Sequence, residues 1–286
     1  MDLRIATCRP LPEPDPDEGP LLAALAARGV RARMAAWSDP REDWAAPVPT
    51  VLRSTWDYPH RAEAFLAWVE RAARVAPLWN PPSVVRWNLH KRYLVELAER
   101  GIAVVATECL ERGAEVRLGE LLSARGWDDA VLKPAISAAS FETLRVRAGV
   151  PGELARGAAH LTRLLAERDV LVQRYAPAVE TSGERALVWI DGALSHAVRK
   201  SPRFAGQEES VSAALPIAPD EAALAEGVLA GLAGELLYAR IDVVRGAHGA
   251  PELMELELIE PSLFLVQHPP ALARLADALA RRLGGA

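Results

Sequence analysis

The segment from Tyr238 to Pro261, YARIDVVRGAHGAPELMELELIEP, constrains the fold more than any other part of the chain. Asp242 sits in an apolar, β-branched run, and Glu255 and Glu257 alternate with Met254, Leu256 and Leu258. Successive strand residues point to opposite faces, so the two glutamates share one face and the three apolar side chains the other. Between the runs lie Gly246, His248, Gly249 and Pro251, the composition of a hairpin loop. Folding about His248 and Gly249 sets Asp242 roughly opposite Glu255. Three carboxylates this close raise one another's pKa and stay ionised only beside a cation. An all-oxygen donor set suits Mg²⁺ or Mn²⁺. A surface hairpin with its acidic face in water fits the same pattern.

A chain of 286 residues, 50% hydrophobic and 25% charged, has the size for two or three modest domains with ample core. Its apolar runs are broken by Arg, Glu or Pro well short of the roughly 20 residues a membrane helix needs. The opening five-residue β-like run is too short for the core of a signal peptide. A cytoplasmic protein without membrane contact is expected. The net charge of −5 leaves no basic footprint for nucleic acid. Cys8 and Cys109 each lie in an apolar, strand-like setting, which predicts buried, reduced thiols.

Strands are predicted at 3–8, 30–36 and 49–53, with a helix at 20–28 ending at Gly29. This β-α-β order favours a parallel sheet. Residues 60–75 carry apolar side chains at helical spacing, which makes Trp68 a core residue. Pro81 and Pro82 then mark a boundary. A helix over 88–100, capped by Asn88, leads to a strand at 102–106. A helix near 114–125, strands at 130–133 and 143–146 and a helix at 151–167 complete the middle region. The strand at 169–175 begins the last region, followed by strands at 186–190 and 193–199. A helix at 219–237, the acidic hairpin and a closing helix at 270–283 finish the chain. The expected division is 1–85, 86–170 and 171–286.

No GxxxxGK[ST], no GxGxxG after a strand, no GxSxG and no HExxH occurs, so a nucleotide site must be built another way. Lysine is scarce: only Lys91, Lys133 and Lys200 stand against thirty arginines. Lys133 ends an apolar strand and precedes a loop of small residues that includes Ser137 and Ser140. Small side chains let backbone N–H groups approach an anion, and a strand-end ammonium supplies a compact charge for phosphate oxygens. A solvated strand end is the plainer alternative. Lys91, in the first turn of a predicted helix, opposes the macrodipole unless an anion lies nearby. Arg199, Lys200 and Arg203 form the one dense basic cluster, fit either for a substrate carboxylate or for water. Arg53 and Asp57, in RSTWDY after a strand, sit where open α/β sheets bind ligands. Arg53 could pair a carboxylate and Asp57 an ammonium. The six histidines form no metal constellation, although His60 and His196 could reach a pocket.

Taken in order, the helix-start Lys91, the strand-end Lys133 with its small-residue loop, the VQRY strand, Arg240-Ile241-Asp242 and Glu255-Leu-Glu257 before Pro261 resemble the ATP-grasp superfamily. The resemblance runs from about residue 79 to 262. The RID segment is similar to that of D-alanine:D-alanine ligase, and the ExE segment to the E-x-N-x-x-x-P of glutathione synthetase, with Glu257 where most relatives carry Asn. The loop after Lys133 lacks the family's usual glycines. Within the superfamily, RSTWDY, VRKSP and ELELIEPSLFL most resemble the cycloserine-forming ligases.

The resemblance implies an α/β (α+β) ATP-grasp fold, in which an N-terminal parallel α/β domain precedes two α+β subdomains that sandwich ATP. It implies ATP contacts from Lys91, Lys133, Ser137 and Ser140, and an adenine wall from Gln173, Arg174, Tyr175 and Ala176. Glu180 or Glu184, preferably Glu184, would hold the ribose. Asp242, Glu255 and Glu257 would hold Mg²⁺, with Mn²⁺ as an alternative. Arg240 would stabilise the transferred phosphoryl group, with Arg199, Lys200 and Arg203 also catalytic. Arg53, Asp57 and Ser262 would meet the substrate. The activity implied is an ADP-forming carboxylate–amine ligase acting through an acyl phosphate, on small-molecule carboxylate and amine partners. A homodimer is one option for its assembly. A kinase-like phosphotransferase and a non-catalytic ATP-binding module are the rival readings.

Overall fold

The computed structural model describes residues 2–138, 140–201 and 210–285. The chain opens with β1 (Asp2–Thr7), α1 (Glu18–Ala26), β2 (Arg31–Ala36) and β3 (Thr50–Leu52), then a 3₁₀ turn (Tyr58–Arg61), α2 (Ala62–Val75) and β4 (Leu78–Trp79). These strands form a parallel sheet in the order β2-β1-β3-β4, as the β-α-β reading expects. The periodic face of α2 buries Phe65, Trp68, Val69 and Ala72 against this sheet's core. Burying side chains of this size contributes roughly 1.5–3 kcal/mol each.

Next come α3 (Pro82–Leu89), α4 (Tyr93–Glu99), β5 (Thr107–Leu110), α5 (Leu118–Arg125), β6 (Asp129–Pro134), β7 (Leu144–Arg147), α6 (Glu153–Leu165) and β8 (Val170–Arg174). The middle sheet is antiparallel in the order β5-β8-β6-β7, and α5 and α6 cover its face. The single helix expected over 88–100 is two short helices. Asn88 caps neither: its side chain donates to Leu256 O at 2.8 Å and accepts from Leu258 N at 2.9 Å. A tertiary partner has taken the groups a helix cap needs. The strand expected at 102–106 reaches the last sheet only through a bridge from Val104 to Leu253, and regular pairing begins at Thr107. The VQRY strand, expected to begin the last region, pairs instead with β5 and β6.

The last part holds α7 (Ala178–Thr181), β9 (Glu184–Ile190), β10 (Ala193–Lys200), α8 (Pro219–Leu229), β11 (Tyr238–Arg245), β12 (Pro251–Glu257) and α9 (Pro269–Gly284). Its antiparallel sheet runs β10-β9-β11-β12. Helix α8 stops well before 237, and Gly231 follows at φ 83°, a left-handed conformation that ends helices readily. Leu187, Ile241 and Leu256 on one face pack on α3, α4 and α8. Ala186, Val188 and Tyr238 on the other share a core with α1, α9 and the first sheet. Asn80 ties the first sheet to the last, donating to Tyr238 O at 2.9 Å and Leu258 O at 2.8 Å and accepting from Leu237 N at 2.7 Å. Among the described residues, no helix is long and apolar enough to cross a membrane.

Candidate active site

A cleft of about 450 Å³ opens where the middle sheet, the last sheet and the loop after β3 converge. All three lysines of the chain line it, and Lys91, Lys133 and Lys200 are each 7–8% exposed. Each comes from a different segment: Lys91 from the turn between α3 and α4, Lys133 from β6 and Lys200 from the end of β10. The turn carrying Lys91 is pinned by its own N–H, which donates to Ala135 O at 2.8 Å.

The hairpin behaves as its alternation predicts over the acidic stretch. Register pairs Asp242 with Glu255 and Arg240 with Glu257, and all four side chains line the cleft. A bulge between Asp242 and Val243 leaves Met254 without a partner residue, so the strict alternation fails there. Met254 therefore lines the cleft instead of joining Leu256 in the core.

Opposite charges neutralise one another across this wall. Arg240 grips Asp242 with two hydrogen bonds of 2.8 Å and also pairs with Glu257. Lys200 Nζ lies 2.7 Å from Asp242 Oδ2 and pairs with Glu184, its direct register partner. Lys91 Nζ donates to Glu255 Oε1 at 2.8 Å and to Ser137 O at 2.6 Å, while Lys133 stands 3.7 Å from Oε2 of the same carboxylate. Burial alone would raise Asp242, but the Arg240 and Lys200 charges hold it well below the usual carboxylate range. Burial likewise opposes ionisation of Glu255, and Lys91 and Lys133 together bring it down to about 2. Burial dominates at Glu257 and Glu184, which are pushed up to about 7 and about 8. One carboxylate cannot fully serve two ammonium groups: Glu255 keeps Lys91 raised, whereas burial, helped by the nearby Lys91, lowers Lys133.

On the middle-sheet side, Gln173, Arg174, Tyr175 and Ala176 form a wall. Gln173 Nε2 donates to Thr107 Oγ1 at 2.9 Å, and Arg174 pairs with Glu252 at 2.7 Å. The Arg145 guanidinium lies 3.5 Å from the Tyr175 ring centroid. Ser137, Ser140 and Ser262 also reach the cleft. Gly183 adopts φ 73°, and a Cβ there would meet Lys200 O at 2.8 Å, so the approach of β9 to Lys200 depends on glycine.

Other predicted residues are not brought to the cleft. Arg199 is exposed, because strand alternation sends it to the face opposite Lys200. Arg203 lies outside the described residues. Arg53 is turned inward, donating to Pro261 O at 2.8 Å and facing Asp17 at 3.7 Å. The Asp57 carboxylate accepts from Trp37 Nε1 at 2.6 Å and pairs with Arg61 one turn on. Glu180 is exposed and engaged by the Tyr175 hydroxyl at 2.6 Å, which leaves Glu184 as the acid on the cleft wall. His196 is buried against His268 at 4.7 Å, and His60 is exposed with its ring 4.8 Å from that of Phe141, so neither lines the cleft. Cys8 is buried and Cys109 half-buried, both as free thiols. Trp56, Tyr58, Tyr93 and Glu260 were not singled out for the site, yet they line it. The one signal in the sequence was the place of Glu260, immediately before Pro261 in the hairpin motif.

Among the described residues, no three Asp, Glu, His or Cys side chains form a ready-made metal cage. Glu184, Asp242, Glu255 and Glu257 are instead paired with the chain's own cations. The donor set remains all oxygen, as a hard divalent cation requires.

Residues 3–80 match the family model for the N-terminal domain of D-cycloserine synthetase DcsG. The chain is 34% identical to the cycloserine biosynthesis protein DcsG of Streptomyces lavendulae, with 94% of each chain covered. It is similar to the crystal structure of D-cycloserine synthetase DcsG with a TM-score of 0.89 at 33% identity, covering 99% of this chain and 100% of that one. A D-alanine–D-alanine ligase from Bacillus anthracis shares the fold at a TM-score of 0.67 and 13% identity, over 99% and 98% of the two chains.

Proposed function

This chain belongs to the family of D-cycloserine synthetase DcsG, ADP-forming carboxylate–amine ligases of the ATP-grasp fold, and from that membership we propose that it activates a small amino acid's carboxylate for attack by a nitrogen of the same molecule. The observation that carries this reading is the convergence of Lys91, Lys133, Lys200 and Arg240 with Asp242, Glu255 and Glu257 on one buried cleft. An adjacent wall, from Gln173 to Ala176, suits a flat heterocycle. The intramolecular course rests on the family's named product, a ring in which an amino acid's carbonyl is joined to a nitrogen.

The ion pairs of the cleft would double as its binding groups. Triphosphate oxygens would take Lys91 and Lys133 from Glu255, giving Lys133 an anion it need not share with Lys91. The freed Glu255, with Asp242 and Glu257, would hold a Mg²⁺ ion, which when bound supplies charge neutralisation between neighbouring phosphates. Arg240 and Lys200 remain at the wall where charge grows as the γ-phosphoryl group passes to the substrate carboxylate. ADP departs, the nitrogen bonds the acyl carbon and loses a proton, and inorganic phosphate leaves. The protein supplies position and fixed charge, with no covalent intermediate on its own side chains.

Product analysis tests this. Purified protein with ATP and Mg²⁺ should release ADP and free phosphate only in the presence of an amino acid, in step with amide or ring formation. A stable phosphorylated product marks a phosphotransferase instead. Nucleotide binding without stimulated turnover marks a non-catalytic module.

A further inference from the structure

We propose that Glu260 receives the ammonium group of the substrate amino acid and so sets the preference for an amine-bearing acid over the same acid without the amine. The proposal rests on the ligase reading above and assigns a specificity-determining residue in that same cleft.

Glu260 is 7% exposed and lines the cleft beside Trp56 and Tyr58, on the side contributed by the loop after β3. It differs from the other acids of this wall in one respect. Glu184, Asp242, Glu255 and Glu257 each have a Lys or Arg within ion-pair distance, whereas Glu260 has none among the ion pairs of the described residues. The one nearby ammonium, that of Lys91, is engaged by Glu255. Burying a carboxylate is costly unless a cation accompanies it, so this position is suited to a charge that arrives from outside. Burial first, and the Glu257 charge second, push the carboxyl up to about 8.

The backbone that carries Glu260 is held rigidly for such a task. Trp56 Nε1 donates to Glu260 O at 3.0 Å, Arg53 Nη1 donates to Pro261 O at 2.8 Å, and the Tyr238 hydroxyl lies 2.8 Å from Ile259 O. Three consecutive carbonyls are thus fixed by side chains from the loop after β3 and from β11, and the Tyr58 hydroxyl hydrogen-bonds the carboxyl itself. A receptor preorganised in this way loses little freedom on binding. Arg53, expected to hold a substrate carboxylate, acts here one step removed, as a positioning residue.

The test compares D-cycloserine, which carries a primary amine, with isoxazolidin-3-one, the same ring without it. Both are titrated by calorimetry into the full-length protein with ADP and Mg²⁺. Wild type should bind the amine-bearing ring about tenfold to a hundredfold more tightly, the range of one charge-assisted hydrogen bond. Glu260→Gln, nearly isosteric, should bring the two rings within about threefold while ADP affinity is retained. Tyr58→Phe should narrow the gap in the same direction. Wild type that does not distinguish the rings overturns the proposal, as does a Glu260→Gln variant that still does. A raised Mg²⁺ requirement in that variant with amine discrimination intact also overturns it, assigning Glu260 to the metal. Absence of amino-acid-stimulated ADP release from wild type would count against the ligase reading and not against Glu260 as an ammonium receptor.

Discussion

The ammonium of Lys91 lies 2.8 Å from Oε1 of Glu255, joining the turn between α3 and α4 to the acidic strand β12. The proposed function assigns the two groups to different parts of one bound nucleotide, and in this structure each satisfies the other. Under that proposal, phosphate and a divalent cation would separate these charge pairs, with measurable outcomes.

Lys133→Ala should weaken ATP binding about tenfold to a hundredfold, the loss of one charge-assisted contact to phosphate. The fold should be spared, because burial already lowers this lysine and its distance to Glu255 is 3.7 Å. Competition of ATP against a fluorescent nucleotide reads the affinity. An unchanged value removes Lys133 from the phosphate site.

Asp242→Asn should shift the Mg²⁺ titration of turnover to higher concentration and also destabilise the protein. The carboxylate is 2% exposed and serves both Arg240 and Lys200, so neutralising it leaves two buried cations short of charge. Breaking such a pair costs about 3–5 kcal/mol. Urea unfolding and the Mg²⁺ titration read the two effects separately, and an unmoved titration counts against a metal role.

His196 gives the fold an acid-sensitive group. Burial first, and His268 second, lower its pKa from 6.5 to about 4. The folded state thus binds its proton less readily than the unfolded chain. Its contribution is intact above pH 6.5 and is lost as pH falls from there toward 4, by up to about 3 kcal/mol. His196→Phe should lose less stability than wild type across that interval in denaturant titrations at each pH. Parallel curves would show that the pair does not titrate this way.

Asn80→Ala should destabilise without touching the cleft. Its amide makes three buried hydrogen bonds to the main chain of Leu237, Tyr238 and Leu258, whose partners would be left unsatisfied. The expected cost is about 3 kcal/mol or more, seen as a fall in Tm of several degrees. ATP affinity measured well below Tm should stay at the wild-type level.

The fold was legible wherever a segment's pattern is set by its own neighbours. The amphipathic spacing of α2, the β-α-β order of the first sheet and the alternation that puts Arg240, Asp242, Glu255 and Glu257 on one face all carried through to the structure. The same reasoning failed where a distant partner intervened. Asn88 looked like a helix cap until the backbone of β12 claimed its amide, and the VQRY strand looked like the start of a new sheet until β5 and β6 flanked it. Arg53 and Asp57, at the end of a strand, had the chemistry of substrate contacts, but Pro261 O and Trp37 occupy them.

The sequence by itself determined which chemistry the site could have: three lysines, an acidic hairpin and their order along the chain fix the available charges and the faces on which strand period places them. Only the tertiary structure decided how those charges are shared, because pairing depends on which segments meet. Lys200 found Asp242 and Glu184, Lys91 found Glu255, and Glu260 was left facing the cleft with no ion-pair partner among the described residues. A carboxylate in sequence is only a negative charge, and whether it is a structural ion pair or an open receptor is settled by the cation that folding does or does not bring within reach.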